Sequence, residues 1–488
     1  MRFARTSSVL VAAYTLATAG KAHAQPFDFI PVATTEIQHP SGSGTFSSVS
    51  LPVTDGEQIT FSDGGISCFS SLNIYQWSAA AGNEYAIDAY DTPRPVGTGA
   101  FGYTGCTGYL DRLRPADGWQ CFYDYDGGGL NFGGLYAAGP GEIAPLVTLG
   151  GTVLPQLGLC NSLGVPQSRS EGRDVYFIAS GEDGGSQFLE FVRRDSGVTV
   201  VPTLNGRLVD SPGGSVRSTS SADSLRAGQL ARLGSDNTSW VWQGVFLHDI
   251  ASGSDTEVIN NSGPLLPFAA RYSISQNHLA LDGAGGVTLL INGRHAATNE
   301  SITGLYHLRA GAASLIATNA TPLPGGGNFG PSFGVGTVAA NAVGGRNVVA
   351  FLSNNGPTAG TIFLWDGGTL RRLVGPGDIV NGREVQQVAM TRESLGYDPI
   401  SRGTMLSLYI GFIGAQGSGI YRVGGIAPVC RTDYNGDGGV DGDDVISYFG
   451  LWDVSDPSAD FNDDGGVDGD DVIAFFTAWD AGGGPGCG

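Results

Sequence analysis

The sequence is short of cysteine pairs, of basic residues and of long apolar runs, and each shortage removes a class of protein. Six cysteines occur in 488 residues and none forms a C-x-x-C pair, which argues against zinc ribbons and thioredoxin-type redox centres. The histidines form no H-E-x-x-H. Against 46 acidic residues stand only 25 basic ones, a net charge of −21, so nucleic acid is not an expected partner. After the N-terminus no run approaches the roughly 18 apolar residues that a membrane span needs, so none is predicted. The body also lacks a 3.6-residue periodicity. Glycine is abundant instead, at 79 residues, as in chains of many short strands joined by tight turns.

Residues 1–24 carry the marks of a signal peptide. Arg2 and Arg5 precede the apolar run VLVAAYTLATAG, and Ala22-His23-Ala24 forms an A-x-A cleavage site before Gln25. A membrane anchor is the alternative, but the run is too short to span a bilayer. The mature chain is expected to be soluble, and secreted or attached to the cell surface. That compartment permits disulfides between its cysteines.

Residues 25–426 read as one repeat domain. A strand-like core recurs as NIYQW (73), GLYAA (134), FLEFV (188), VFLHD (245), GLYHL (304), IFLWD (362) and GIYRV (419). Aligned on Tyr75, Tyr136, Leu189, Phe246, Tyr306, Phe363 and Tyr421, successive positions differ by 61, 53, 57, 60, 57 and 58, a near-constant period. Alternating strands flank the cores, such as GRNVVAF upstream and GTLRRLV downstream, and Gly/Pro loops such as TPLPGGG close the units. The fold class predicted is mainly β: a seven-bladed β-propeller, with six or eight blades as alternatives, followed by a small α-helical domain. A sandwich pair or a β-helix is the competing architecture. In repeat register Cys68–Cys106 and Cys121–Cys160 are equivalent pairs of nearly equal separation; the local pair Cys106–Cys121 is the alternative.

Residues 427–488 differ in kind. From residue 430 onward the chain holds fourteen Asp and one Arg, a net −13, leaving −8 for everything before it. Two twelve-residue stretches, DYNGDGGVDGDD (433–444) and DFNDDGGVDGDD (460–471), are nearly identical. Both follow D-x-[DN]-x-[DN]-G, the calcium-loop pattern. Oxygen donors fall at Asp433, Asn435, Asp437, Asp441 and Asp444, and again at Asp460, Asn462, Asp464, Asp468 and Asp471. Gly439 and Gly466 would each offer a backbone carbonyl. Calcium is a hard cation taking six to eight oxygens at about 2.4 Å, and Gly438 and Gly465 permit the turn that wraps the donors round it. Two Ca2+ ions are therefore predicted, with Asp at the last position binding through both oxygens where an EF-hand has Glu. A flexible acidic tail is the alternative. Each loop, however, runs into an amphipathic helix, with Val445, Phe449, Trp452 and Val472, Phe476, Trp479 at i, i+4, i+7.

An ordinary EF-hand also has an entering helix. YRVGGIAPVCRT (421–432) contains Gly-Gly and Pro and is not expected to form one. A loop with only an exiting helix, written twice, resembles a dockerin, the F-hand module that attaches secreted proteins to cohesin domains. The resemblance covers residues 430–488, a small part of the chain. It implies two calcium ions, a pseudo-twofold helix pair and a cohesin-like partner. As in GC-ended modules of this kind, Cys430 and Cys487 would clasp the two ends, closing a loop worth about 4 kcal/mol in the chain-entropy model. The family often has Ser/Thr or Lys/Arg at loop positions 10 and 11. Here Gly442-Asp443 and Gly469-Asp470 stand there, a departure that bears on partner choice.

Catalytic motifs are weak. GPSFG (330–334) fits G-x-S-x-G with Ser332 as nucleophile, and GTGAFG (97–102) fits G-x-G-x-x-G, but neither has the expected strand–helix context. The five histidines of the mature chain include His248 and His307, nearly in repeat register, which suits strand-face residues better than metal ligands. A glycosidase needs two converging carboxylates, and Glu190, Asp249 and Asp366 are candidates. Two readings follow: a secreted propeller that binds a glycan or a protein, anchored by its tail, or a dockerin-borne polysaccharide hydrolase or lyase with its site at one mouth of the propeller.

Overall fold

The computed structural model describes residues 27–480, except 41–43, 47–48, 64–72, 89–90, 96–99, 102–112, 126–131, 165–167, 185–187, 202–217, 220–223, 236–243, 262–264, 270–271, 276–277, 325, 344–345, 399–402, 415–416, 427–431, 435–439, 457–458 and 463–465. The signal-peptide reading lies outside these residues.

The chain is mainly β and forms a propeller. Among the described residues its strands fall into seven hydrogen-bonded sheets, six of four or more strands and one of three, Gln120–Tyr125, Phe132–Gly139 and Glu142–Thr148. Strand pairing is antiparallel throughout except where Leu113–Arg114 runs parallel to Arg169–Glu171. The innermost strand is often short, as in Val53–Thr54, Ser224–Arg226 and Ala280–Leu281. The innermost strands touch their neighbours in a closed ring: Val53–Thr54, Leu113–Arg114, Arg169–Glu171, Ser224–Arg226, Ala280–Leu281, Val335–Val343, Leu395–Tyr397, and back to the first.

Six of the recurring cores become the third strand out from the centre of a sheet, for example Asn73–Ser78, Thr361–Trp365 and Ser418–Ile426, and the remaining one, Phe132–Gly139, is the middle strand of the three-stranded sheet. Their aromatic residue is buried and, in four of the sheets, stacks on one from the strand before: Phe61 on Tyr75 at 5.4 Å, Phe122 on Tyr136 at 5.8 Å, Phe177 on Phe191 at 5.5 Å and Phe351 on Phe363 at 5.5 Å. In the third unit the equivalent residue is Phe191, not Leu189. The two share a face because strand side chains alternate with period two, so the sequence alignment slipped by one such step. The corrected positions, Tyr136, Phe191 and Phe246, are evenly spaced along the chain. In six sheets the register with the outer strand shifts immediately before this residue or close to it, as between Leu135 and Tyr136 or Ile362 and Phe363. A bulge there bends the strand and increases the twist of the outer sheet.

Stability comes from sheet-on-sheet burial. Tyr123, Leu135 and Ala137 of the second sheet pack with Val175, Phe177 and Phe191 of the third. Leu305 of the fifth packs with Phe351 and Phe363 of the sixth. The circle closes where Met405, Tyr409 and Ile420 of the last sheet meet Phe61 and Tyr75 of the first. The outermost strand of that last sheet comes from the other end of the chain: Phe29–Thr34 pairs antiparallel with Ser418–Ile426. Joining the two ends of the body in one sheet keeps the ring from opening at its seam.

The cysteine pairing expected from repeat register is corrected where it can be seen. Cys121 and Cys160 are both buried free thiols. They lie in strands of different sheets, and each donates to a carbonyl, Cys121 to Gly172 at 3.0 Å and Cys160 to Ser162 at 3.7 Å. Cys68, Cys106, Cys430 and Cys487 lie outside the described residues. No helix among those described is long and apolar enough to cross a membrane.

Candidate functional site: the duplicated acidic loops and the propeller's inner ring

Two helices follow the acidic loops, α1 (Gly442–Trp452) and α2 (Gly469–Asp480). They start where the loops end because the last loop residues cap them. Asp441 accepts from the Asp443 N–H at 2.9 Å, while its own N–H donates to Asp444 Oδ2 at 2.8 Å. The second half repeats this: Asp468 accepts from Asp470 at 2.9 Å and donates to Asp471 Oδ2 at 2.8 Å. Carboxylates at helix N-termini also suit the helix dipole. Asp471 Oδ1 further accepts from the N–H groups of Phe461 and Asn462 at 2.7 and 3.0 Å, drawing the two ends of its loop together. Burial would raise the pKa of Asp471, but these backbone hydrogen bonds outweigh it and hold the carboxyl below its ordinary value.

Of the predicted ligands, Asp433, Asp441, Asp444, Asp460, Asn462, Gly466, Asp468 and Asp471 are described; Asn435, Asp437, Gly439 and Asp464 lie outside. Among the described residues no group of side chains is gathered as a finished metal cluster. The donor chemistry nevertheless fits a hard divalent cation. Asp444 and Asp471 are fully buried, and the tail supplies a single Arg against fourteen Asp. Burying carboxylates without positive charge is costly; backbone N–H groups meet part of that cost at Asp444 and Asp471, and a bound cation would lower it further.

The body's candidates stay apart. Glu190 pairs with buried Arg232 at 3.1 Å, Asp249 accepts from Ser252 in a turn, and Asp366 pairs with Arg371 at 2.7 Å; the three belong to three different sheets. Ser332 sits in a turn leading to the strand Val335–Val343, not to a helix. His248 stands opposite Asp255 and binds it at 2.9 Å; His307 stands opposite Thr288, 3.0 Å away, and 3.4 Å from Asp282. Both are buried strand residues.

Sequence reasoning missed the polar ring that stitches the inner strands. Arg114 reaches Glu393 at 3.3 Å and the Leu395 carbonyl at 3.0 Å. Glu171 accepts from the Ala227 N–H, and Arg226 reaches the Leu281 carbonyl at 3.0 Å, the Ala340 carbonyl and Asn341. Asn341 donates to Thr404 at 3.2 Å. Burial raises the pKa of Glu171, opposed by Arg114 and Arg226. The signal was present: Arg114, Glu171, Arg226, Asp282 and Asn341 follow one another at close to the period of the unit itself. The two arginines offset Glu171 and Glu393 and hold sheets together, while Asp282 accepts from the Ala284 and Gly286 N–H groups.

No family model and no curated protein matches the chain. Among solved structures it is similar to the β-propeller domain of the Trilobed protease from Pyrococcus furiosus, at 11% identity and TM-score 0.41 over 78% of this chain and 97% of that one. It is also similar to an oligogalacturonate lyase in complex with manganese, at 8% and 0.41 over 82% and 98%. A Mycobacterium tuberculosis puromycin-hydrolyzing peptidase follows at 14% and 0.40, over 77% of this chain and 50% of that chain. At these values nothing about chemistry passes from them to this chain.

Proposed function

We propose that this is a secreted calcium-binding protein in which a dockerin-like tail anchors a β-propeller, itself a glycan- or protein-binding domain, to a cohesin-type partner. We read the propeller as seven-bladed, counting the three-stranded sheet as a blade whose innermost strand, Leu113–Arg114, pairs instead with the next sheet. The closed ring of seven inner strands supports that count.

One observation carries the anchoring reading. The two acidic loops, nearly identical in sequence, end in the same aspartate-capped helix start, and each buries the aspartate at its twelfth position. A solvated acidic tail has no reason to repeat that geometry. Calcium held by the loops would offset the carboxylates and fix the helices against each other. For the body, the separate partners of Glu190, Asp249 and Asp366 support binding over hydrolysis.

Titration of the full chain with CaCl2 by calorimetry is expected to give two equivalents. Capture on a panel of immobilised cohesin domains is expected in calcium and lost in chelator. Fewer than two equivalents, or capture indifferent to chelator, rejects the reading.

A further inference from the structure

A cleft of 660 Å³ opens between the first sheet and the second. That is within the range of small-ligand sites, about 300–1,000 Å³. Three polar side chains of the first sheet form its one wall. Gln76 stands directly opposite Glu84 on the neighbouring strand. Gln58 lies diagonally from Gln76 across the other strand, where Thr60 is the residue opposite Gln76. Even-numbered positions of these strands share a face, so Gln58, Gln76 and Glu84 make one row. The facing wall is the turn and strand start of the second sheet, Pro140, Glu142 and Ile143. Gly141 takes φ 77° in this turn, the left-handed region that favours glycine.

Two atoms of this row are unsatisfied. Gln58 Oε1 and Gln76 Nε2 are shielded from solvent and make no hydrogen bond. One is an acceptor and one a donor, and buried polar groups of this kind are normally paired. Both side chains are half-buried, and once their amides turn into the cleft a hydroxyl group serves both, because it donates and accepts. Glu84 and Glu142 add acceptors suited to further hydroxyls, while Pro93, Pro95 and Ile143 offer apolar C–H surface. Among the described residues the lining contains no Lys, Arg or His, and nearby Arg94 is neutralised by Asp124 at 2.8 Å. An anionic ligand would therefore meet two carboxylates and no cation.

We propose that this cleft is a binding subsite for neutral saccharide, with Gln58 and Gln76 reading hydroxyl groups and Glu84 and Glu142 excluding uronates. The inference rests on the glycan-binding reading of the propeller and adds its location and ligand class. Without an aromatic platform the affinity is set by hydrogen bonds and is weak.

The test is calorimetry of the full-length protein with cellohexaose, xylohexaose, mannohexaose and laminarihexaose, beside hexagalacturonate and a chitosan hexamer. At least one neutral hexamer is expected to bind and hexagalacturonate is not. The double variant Gln58→Leu/Gln76→Leu, of nearly the same side-chain volume, is expected to weaken that binding at least tenfold. Should it fail to fold, Glu84→Gln/Glu142→Gln on the rim decides: it is expected to admit hexagalacturonate. Neutral binding left intact by the Leu pair, or hexagalacturonate still excluded by the Gln pair, overturns the cleft assignment while leaving glycan binding standing. No binding of any hexamer, or binding of the chitosan hexamer alone, overturns both.

Discussion

Tyr448 of α1 and Phe475 of α2 stack face to face, with ring centroids 4.2 Å apart and planes 3° from parallel. They are separated by the same step as Asp433 and Asp460, so they occupy the same place in each half. Their neighbours repeat the relation: Tyr434 meets Tyr448 edge-on at 5.0 Å, and Phe461 meets Phe475 edge-on at 5.5 Å. A pseudo-twofold axis therefore passes between the two rings. The symmetry is broken at two hydroxyls, those of Tyr434 and Tyr448 where Phe461 and Phe475 stand, and the Tyr448 hydroxyl is buried without a hydrogen bond. Removing it by Tyr448→Phe is expected to leave the tail equally or more stable, by up to about 1 kcal/mol. Phe475→Ala is expected to cost about 3–5 kcal/mol. Thermal unfolding of the full chain in calcium, followed at the tail's own transition, checks both.

Calcium removal should act on the tail and spare the propeller. On the proposed calcium reading the loops gather several carboxylates, whose repulsion would be uncompensated without the ion. In chelator, proteases are expected to cut within 432–480 while the body persists. Asp444→Ala and Asp471→Ala should each remove one calcium equivalent. A tail equally resistant with and without calcium would contradict this.

The fold was legible where burial leaves a pattern and illegible where it does not. A buried aromatic recurs in the core strand of each of the seven sheets, and in all but the third unit, where Leu189 stood in for Phe191, that residue announced the period. The innermost strands are often two residues long, as at Val53–Thr54 and Leu113–Arg114, too short to show alternation. The closure of Phe29–Thr34 on Ser418–Ile426 joins residues nearly the whole chain apart, and no local signal encodes such a pairing. In the tail the two helix starts were legible, because each acidic stretch runs straight into its amphipathic pattern. The cleft was not, since Gln58 and Glu142 come from different units and meet only when sheets pack.

The buried thiols give a chemical check of the cysteine correction. Burial pushes Cys121 up to about 12 and Cys160 up to about 11. Both should resist alkylation at pH 8 in the native protein, since the thiolate is the reactive form. In guanidinium without reductant both should be labelled, as read by peptide mass spectrometry. Linkage has a definite sign here. The folded state favours the protonated thiols, so their contribution is present below the unfolded thiol pKa, near 9, and is lost as pH rises toward 11 to 12. If the two residues stay unlabelled in denaturant until reductant is added, a disulfide is present and the correction fails.

Arg226 ties the fourth sheet to the fifth and sixth through the Leu281 and Ala340 carbonyls and Asn341. It is almost wholly buried and also offsets Glu171 of the third sheet. Arg226→Ala would leave two carbonyls and a carboxylate desolvated together, at a cost of about 3–5 kcal/mol. Arg226→Lys keeps the charge but loses the planar fork, so it should recover only part of that. Arg371→Ala serves as the control. Its partner Asp366 is partly exposed, and surface pairs contribute about 0–1 kcal/mol. Chemical denaturation of the three variants should therefore rank Arg226→Ala lowest, Arg226→Lys between and Arg371→Ala near the parent. A body transition unmoved by Arg226→Ala would mean that sheet packing alone holds the ring closed.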